Sequence, residues 1–193
     1  MSKPIVVMLW GAPASGKTTI ASGLKPRLEQ EYGLPVCHLS PDALNQAIVG
    51  DRFLASIREA LYRGAMAMLE AMLNSQHLVL LDGTFLSRDL RGRVAKLAQT
   101  RGAALISVHI TCTYPSRAAR NAARPDSSRV RPEWMRKAHY QALAARAEAD
   151  LIIDSDRCDA DQAVESVLTY LVHRLELSEG VYHGHWDLAQ GVV

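Results

Sequence analysis

Ile5-Val6-Val7-Met8-Leu9-Trp10-Gly11-Ala12-Pro13-Ala14-Ser15-Gly16-Lys17-Thr18 is the stretch on which the reading turns. Ile5–Trp10 is an unbroken apolar run containing β-branched residues, as expected of a parallel strand buried on both faces. Gly11–Thr18 satisfies G-x-x-x-x-G-K-[ST] at every fixed position, and it lies where that motif must lie, between a strand and a helix. Glycines let the backbone wrap closely round a phosphate, so that successive N–H groups point inward. Lys17 then sets a cation against the β- and γ-phosphates, Thr18 offers its hydroxyl to Mg²⁺, and the helix adds its positive end. The expected nucleotide-binding set is Gly11, Ala12, Pro13, Ala14, Ser15, Gly16, Lys17, Thr18 and Thr19. Lys17 is also expected to be catalytic, with its side chain in a solvent-filled phosphate site.

Outward from this loop, a helix is expected from Lys17, bent or interrupted by Gly23 and Pro26 before Gln30. Pro35–Leu39 and His77–Leu81 read as strands, and Phe53 to Asn74 carries apolar residues at helical spacing. Ser87–Arg101 reads as a helix with Gly102 behind it as a cap, Ala104–Ile110 as a strand and Pro132–Glu148 as a helix. Leu151–Ile153 is a short strand and Asp161–Leu175 the last helix. Strands alternating with helices predict an α/β fold with a parallel sheet covered on both faces. At 193 residues the chain fits one domain over residues 1–177, followed by an aperiodic tail, Ser178–Val193, that contains His183, His185 and Trp186.

A net charge of +2 argues against wholesale nucleic-acid or membrane binding, and no apolar run is long enough to span a bilayer. The cysteines Cys37, Cys112 and Cys158 are scattered, which points to reduced thiols and a cytoplasmic protein.

Asp82 closes the apolar run Leu78–Leu81, where a Walker-B carboxylate that holds Mg²⁺ or its water belongs; Thr18 and Asp82 are the expected metal residues. Asp82-Gly83-Thr84 also resembles a haloacid-dehalogenase phosphatase loop, but that chemistry needs an Asp two residues earlier, and Leu80 stands there. No N-K-x-D string for guanine is present, so ATP is the expected nucleotide. Asp42 in Ser40-Pro41-Asp42 follows the second strand. It reads equally as a carboxylate that takes an acceptor hydroxyl's proton and as an ordinary helix-start residue with Ser40 as cap. From Tyr114 to Lys137 arginines accumulate: Arg117, Arg120, Arg124, Arg129, Arg131 and Arg136. Arg120 and Arg124 stand at i, i+4, so on a helix they present two forks suited to phosphate oxygens.

In the order of these motifs the chain resembles P-loop kinases of the polynucleotide-kinase and zeta-toxin type, AAA-like ATP-binding proteins. The likeness rests on the loop at Gly11–Thr18, Asp42 after the second strand, Asp82-Gly83-Thr84-Phe85, and Arg120-Asn121-Ala122-Ala123-Arg124, over about residues 4–155. It implies a five-stranded parallel sheet, an acceptor-activating Asp42, and a mobile arginine lid over about 114–137 in which Arg120 and Arg124 are catalytic and touch the nucleotide. The implied activity is transfer of the ATP γ-phosphate to a hydroxyl of a small molecule or nucleotide. One departure stands out. Polynucleotide kinases carry an Arg three residues after that Asp for the nucleic-acid phosphate; here the position is Asn45, with Arg52 or Arg58 as replacements. A polynucleotide end is therefore the less favoured acceptor. A non-enzymatic ATP-dependent switch is the contrasting class.

Overall fold

The structure is a computed structural model and describes residues 3–33, 35–50, 55–75 and 77–175. The predicted tail, Phe53 and Arg52 lie outside the described residues. Strand β1 (Ile5–Trp10) is buried at all six positions because it is the middle strand of the sheet. It pairs in parallel with β3 (Leu78–Gly83) on one side and β4 (Ala104–Thr111) on the other. β2 (Val36–Leu39) lies outside β3 and β5 (Leu151–Asp154) outside β4, giving the order β2-β3-β1-β4-β5, every pair parallel.

Strand periodicity sends alternate side chains to opposite faces. Ile5, Val7 and Leu9 join a core with α1 (Lys17–Tyr32) and α7 (Ala160–Leu175). Val6, Met8 and Trp10 join a second core with α3 (Arg58–Asn74) and α4 (Arg88–Thr100). The remaining helices, α2 (Pro41–Val49), α5 (Tyr114–Ala122) and α6 (Pro132–Ala144), sit on loops leaving the carboxyl edge of the sheet or return from it. α6 is fastened to the phosphate loop by a small apolar cluster of Ala12, Leu86, Ala138 and Ala142. The layers are thus the predicted ones: five parallel strands covered on both faces.

Two residues read as helix breakers do something else. α1 runs unbroken from Lys17 to Tyr32 with Pro26 inside it. Pro26 is exposed while Leu24 and Leu28 are fully buried, so the carbonyl that proline frees faces water and the flanking leucines hold the register. A Cβ at Gly23 would lie 2.9 Å from Val164 Cγ2, so this glycine lets α7 approach α1 closely. Other boundaries shift modestly. β3 continues through Asp82 and Gly83, and the predicted helix to Glu148 ends at Ala144, followed by a 3₁₀ turn at Arg146–Glu148. The predicted helix from Phe53 is, within the described residues, a 3₁₀ turn at Ala55–Ile57 leading into α3.

Candidate active site

The loop between β1 and α1 has the backbone that only its sequence permits. Gly11 has φ 150°, and a Cβ there would lie 2.2 Å from the Ile110 carbonyl oxygen, so any side chain would drive the loop off β4. Gly16 has φ 97° and Ala14 φ 61°, a left-handed conformation costly for a residue with a Cβ. Such alternation turns consecutive N–H groups toward one point and makes an anion cradle. α1 starts from Gly16 with no side-chain cap, as α3, α4 and α6 also start, whereas Ser40 caps α2 and Thr113 caps α5. The first N–H groups of α1 are left for a ligand.

Lys17 is buried, contrary to the expectation of a solvent-filled site, and its Nζ donates to the Ala12 carbonyl at 3.0 Å. Burial pushes its pKa down from the ordinary lysine value. Asp82 and then Asp42 oppose that shift, while Arg124 and Arg117 add to it. Thr18 Oγ1 donates to Asp82 Oδ2 at 2.7 Å. Asp82 is 1% exposed; its Oδ1 has no partner among the described residues, and His38 Nε2 stands 3.6 Å from Oδ2. A hydroxyl beside a carboxylate with an orphaned oxygen is a hard-oxygen pair of the kind that suits Mg²⁺, which keeps much of its own water. The residues present fit that ion. No group of three or more His, Cys, Asp or Glu able to hold a metal occurs among the described residues.

Asp42 occupies a helix start at the exit of β2. It lies in the first turn of α2, behind the Ser40 cap and Pro41, and it is exposed. α2 follows the exit of β2, which puts Asp42 at the carboxyl edge of the sheet. Pro41 seats against Gly83: a Cβ built on Gly83 would be 3.4 Å from Pro41 Cδ and 2.6 Å from the Phe85 ring. That close fit brings the β2 exit against the β3 exit, at the carboxyl edge where ligands bind in open α/β sheets.

The arginines separate into different roles. Arg120 and Arg124 do not share a helix face, because α5 stops at Ala122. Pro125 follows Arg124, and the residue before a proline is pushed out of the α region. Arg120 is exposed and donates to Ser155 Oγ at 2.8 Å and to the Ser155 carbonyl at 2.9 Å, with Asp156 Oδ1 at 3.5 Å. Ser155 Oγ in turn donates to the Ser15 carbonyl at 3.0 Å, so the β5 exit is tied to the phosphate loop. Arg124 is half-buried, and its charge reaches Lys17. Arg129 donates to the Arg124 carbonyl and pairs with Asp126, while Arg131 and Arg136 are exposed.

Sequence reasoning missed the most buried arginine of the group. Arg117 is 1% exposed and donates from Nη2 to the Cys112 carbonyl at 2.9 Å; its Nε and Nη1 have no partner among the described residues. Nothing in its residue type distinguished it from Arg120. Beneath the loop, Trp10 stacks on His109 with centroids 4.2 Å apart and donates to Ser107 Oγ, and Arg91 Cζ lies 4.5 Å from the Trp10 ring. Arg91 also donates to the Phe85 carbonyl at 2.6 Å and to Glu148. This contact holds the turn after Asp82, where Phe85 has φ 36°. His109 is fully buried, and burial, together with Arg146, Arg117, Arg91 and Lys17, pushes its pKa down to about 4. Of the arginines named as replacements at the acceptor side, Arg58 opens α3 and Arg52 lies outside the described residues.

Comparison with known proteins agrees with this frame. No curated protein matches the sequence. Among solved structures, the Mycobacterium tuberculosis APS kinase CysC in complex with AMPPNP and APS superposes with a TM-score of 0.63 at 19% identity, covering 88% of this chain and 99% of that one. A gluconokinase from Sinorhizobium meliloti 1021 gives 0.62 at 17% identity over 91% and 96%. The Pnkp1/Rnl/Hen1 RNA repair complex contains a chain that gives 0.63 at 18% identity over 78% of this chain and 47% of that one. At such identities these likenesses establish a P-loop kinase fold. A family match covers residues 6–150, most of the chain, and by that match the protein belongs to the AAA domain family.

Proposed function

We propose that this chain transfers the γ-phosphate of ATP to a hydroxyl group of a small molecule or nucleotide. The reading is carried by the Thr18–Asp82 hydrogen bond beside the buried Lys17, with Asp42 opening α2 where Pro41 seats against Gly83, all at the carboxyl edge of β1, β2 and β3. An ATPase switch needs the loop and Asp82. It has no use for a second carboxylate across the crevice from them.

The loop N–H groups and Lys17 bind the β- and γ-phosphates, with the Lys17 bond to Ala12 exchanged for phosphate oxygens. Thr18 and Asp82 would hold Mg²⁺, which would supply charge neutralisation at the phosphates. Asp42 orients the acceptor hydroxyl and takes its proton as the oxygen bonds to the γ-phosphorus and the bond to the ADP oxygen breaks. Arg124 and Arg117 stabilise the charge that spreads over the phosphoryl oxygens.

The test is ADP release from the full chain, with Mg²⁺ and ATP, across hydroxyl acceptors: sugars and sugar acids, nucleosides, aminoglycosides and 5′-hydroxyl oligonucleotides. At least one class is expected to stimulate release and to become phosphorylated. Asp42→Asn should then lower acceptor phosphorylation by roughly 10²–10⁴ while leaving ATP affinity intact. Unchanged phosphorylation in that variant, with a loss of stability of about 1 kcal/mol or less, would reduce Asp42 to a helix-start residue.

A further inference from the structure

Arg58 stands apart from the other cations near the site. It is the first residue of α3, and Trp134 lies in the first turn of α6. α3 leads back into β3, and α6 into β5 by way of a 3₁₀ turn, so both begin at the carboxyl edge of the sheet, where the phosphate loop lies. The Arg58 guanidinium carbon is 5.6 Å from the centroid of Tyr62 and 5.5 Å from that of Trp134. Aromatic faces hold a guanidinium in place while leaving its N–H edge unspent. Arg58 makes no hydrogen bond or ion pair among the described residues, although Glu59 and Glu133 are close in sequence to its cluster. Arg91, Arg120 and Arg129, by contrast, are each committed to oxygen partners.

The cluster is tied to the proposed transfer site through named contacts. Tyr62 Oη shares a hydrogen bond of 2.9 Å with Thr84 Oγ1, and the Thr84 carbonyl accepts from Gly11 N at the start of the phosphate loop. Tyr62 also packs edge-on against Phe85, whose ring meets Gly83, the residue on which Pro41 rests beside Asp42. α2 packs on α3, closing the same side of the crevice. Arg58 is thus linked through Tyr62 to the Gly83–Thr84 turn, the same turn that Pro41 meets beside Asp42. A half-buried guanidinium fixed by two rings is preorganised for two-pronged contact with an oxyanion.

We propose that Arg58 is the specificity residue for the acceptor, and that the acceptor class is a hydroxyl compound carrying its own oxyanion, a phosphate or a carboxylate. This rests on the kinase reading above. The contrasting role for Arg58 is a purely structural clamp between α3 and α6.

The experiment saturates the full-length protein with Mg²⁺ and a non-hydrolysable ATP analogue, then measures binding of matched probes by calorimetry. Adenosine 3′-phosphate is paired with adenosine, and gluconate with sorbitol. At least one anionic probe is expected to bind tenfold or more tightly than its neutral partner, and the pair that discriminates tells phosphate from carboxylate. Arg58→Met keeps the apolar stem and should abolish that discrimination, with analogue affinity and melting temperature unchanged. Arg58→Lys, which keeps the charge, should restore part of it. Equal binding within both pairs, no binding of any probe, or a uniform loss of affinity and stability in Arg58→Met overturns the proposal. Failure of the wild-type protein to bind the ATP analogue overturns the kinase reading as well, so the two failures are told apart.

Discussion

The phosphate loop with Asp82 and the arginine-bearing segment after β4 are both rich in charge, yet they hold it differently. Around the loop, Lys17 and Asp82 are buried; Lys17 donates to the Ala12 carbonyl within the loop, and Asp82 accepts from Thr18 at the start of α1. Along Tyr114–Arg131, Arg120 and Arg129 are exposed and spend their donors on nearby loops, while Arg124 lies beyond the helix end. Arg117 is the exception: it stands in the second region and is as buried as anything in the first. A charge fixed in a dry site is worth several times one that must be gathered from water. On the function proposed above, the first region binds and the second acts on transition-state charge, with Arg117 as its buried member.

Lys17→Ala should break the first region outright. Transfer is expected to fall by on the order of 10³ and nucleotide affinity to drop, with the melting temperature held or raised, because a buried charge has been removed. Normal nucleotide titration of this variant would mean that the loop is not the phosphate site.

Arg124→Ala should separate the regions. A fall in kcat by on the order of 10²–10³, with ATP binding little altered, is expected of a group acting on transition-state charge. If affinity falls as much as kcat, both regions bind, and the contrast disappears.

His109 probes the layer beneath the loop. Its folded pKa of about 4 lies below the ordinary value of 6.5, so the unfolded chain binds the proton more readily between those values. Stability should therefore rise with pH from about 4 to 6.5 and fall by about 2–3 kcal/mol on acidification across that window. In His109→Phe, denaturant midpoints measured across the same window should show that slope flattened.

Arg120→Ala carries the smallest expectation. Its exposed pairing with Ser155 and Asp156 is worth on the order of 1 kcal/mol or less. Turnover within about tenfold of wild type would sharpen the division between a tether at Arg120 and a catalytic Arg124. A loss as large as that in Arg124→Ala would instead join them as one pair.

The amino-acid sequence by itself determined the α/β alternation, the phosphate loop and the place of Asp82 at a strand end. Each depends on residues close in the chain: an apolar run, a glycine pattern and a terminal carboxylate dictate local backbone whatever packs around them. It also marked Asp42 as a helix start at the exit of the second strand. Tertiary structure alone decided the rest. Whether Gly23 and Pro26 break α1 depended on α7 and on solvent, contacts 138 residues apart in the case of the neighbouring Arg27–Glu165 bond. Which arginine is buried, and that Arg58 is held by rings from two helices, depended on how α3, α5 and α6 meet the sheet. A guanidinium's role is set by what surrounds it, and residue type and spacing carry no record of partners brought together only by folding.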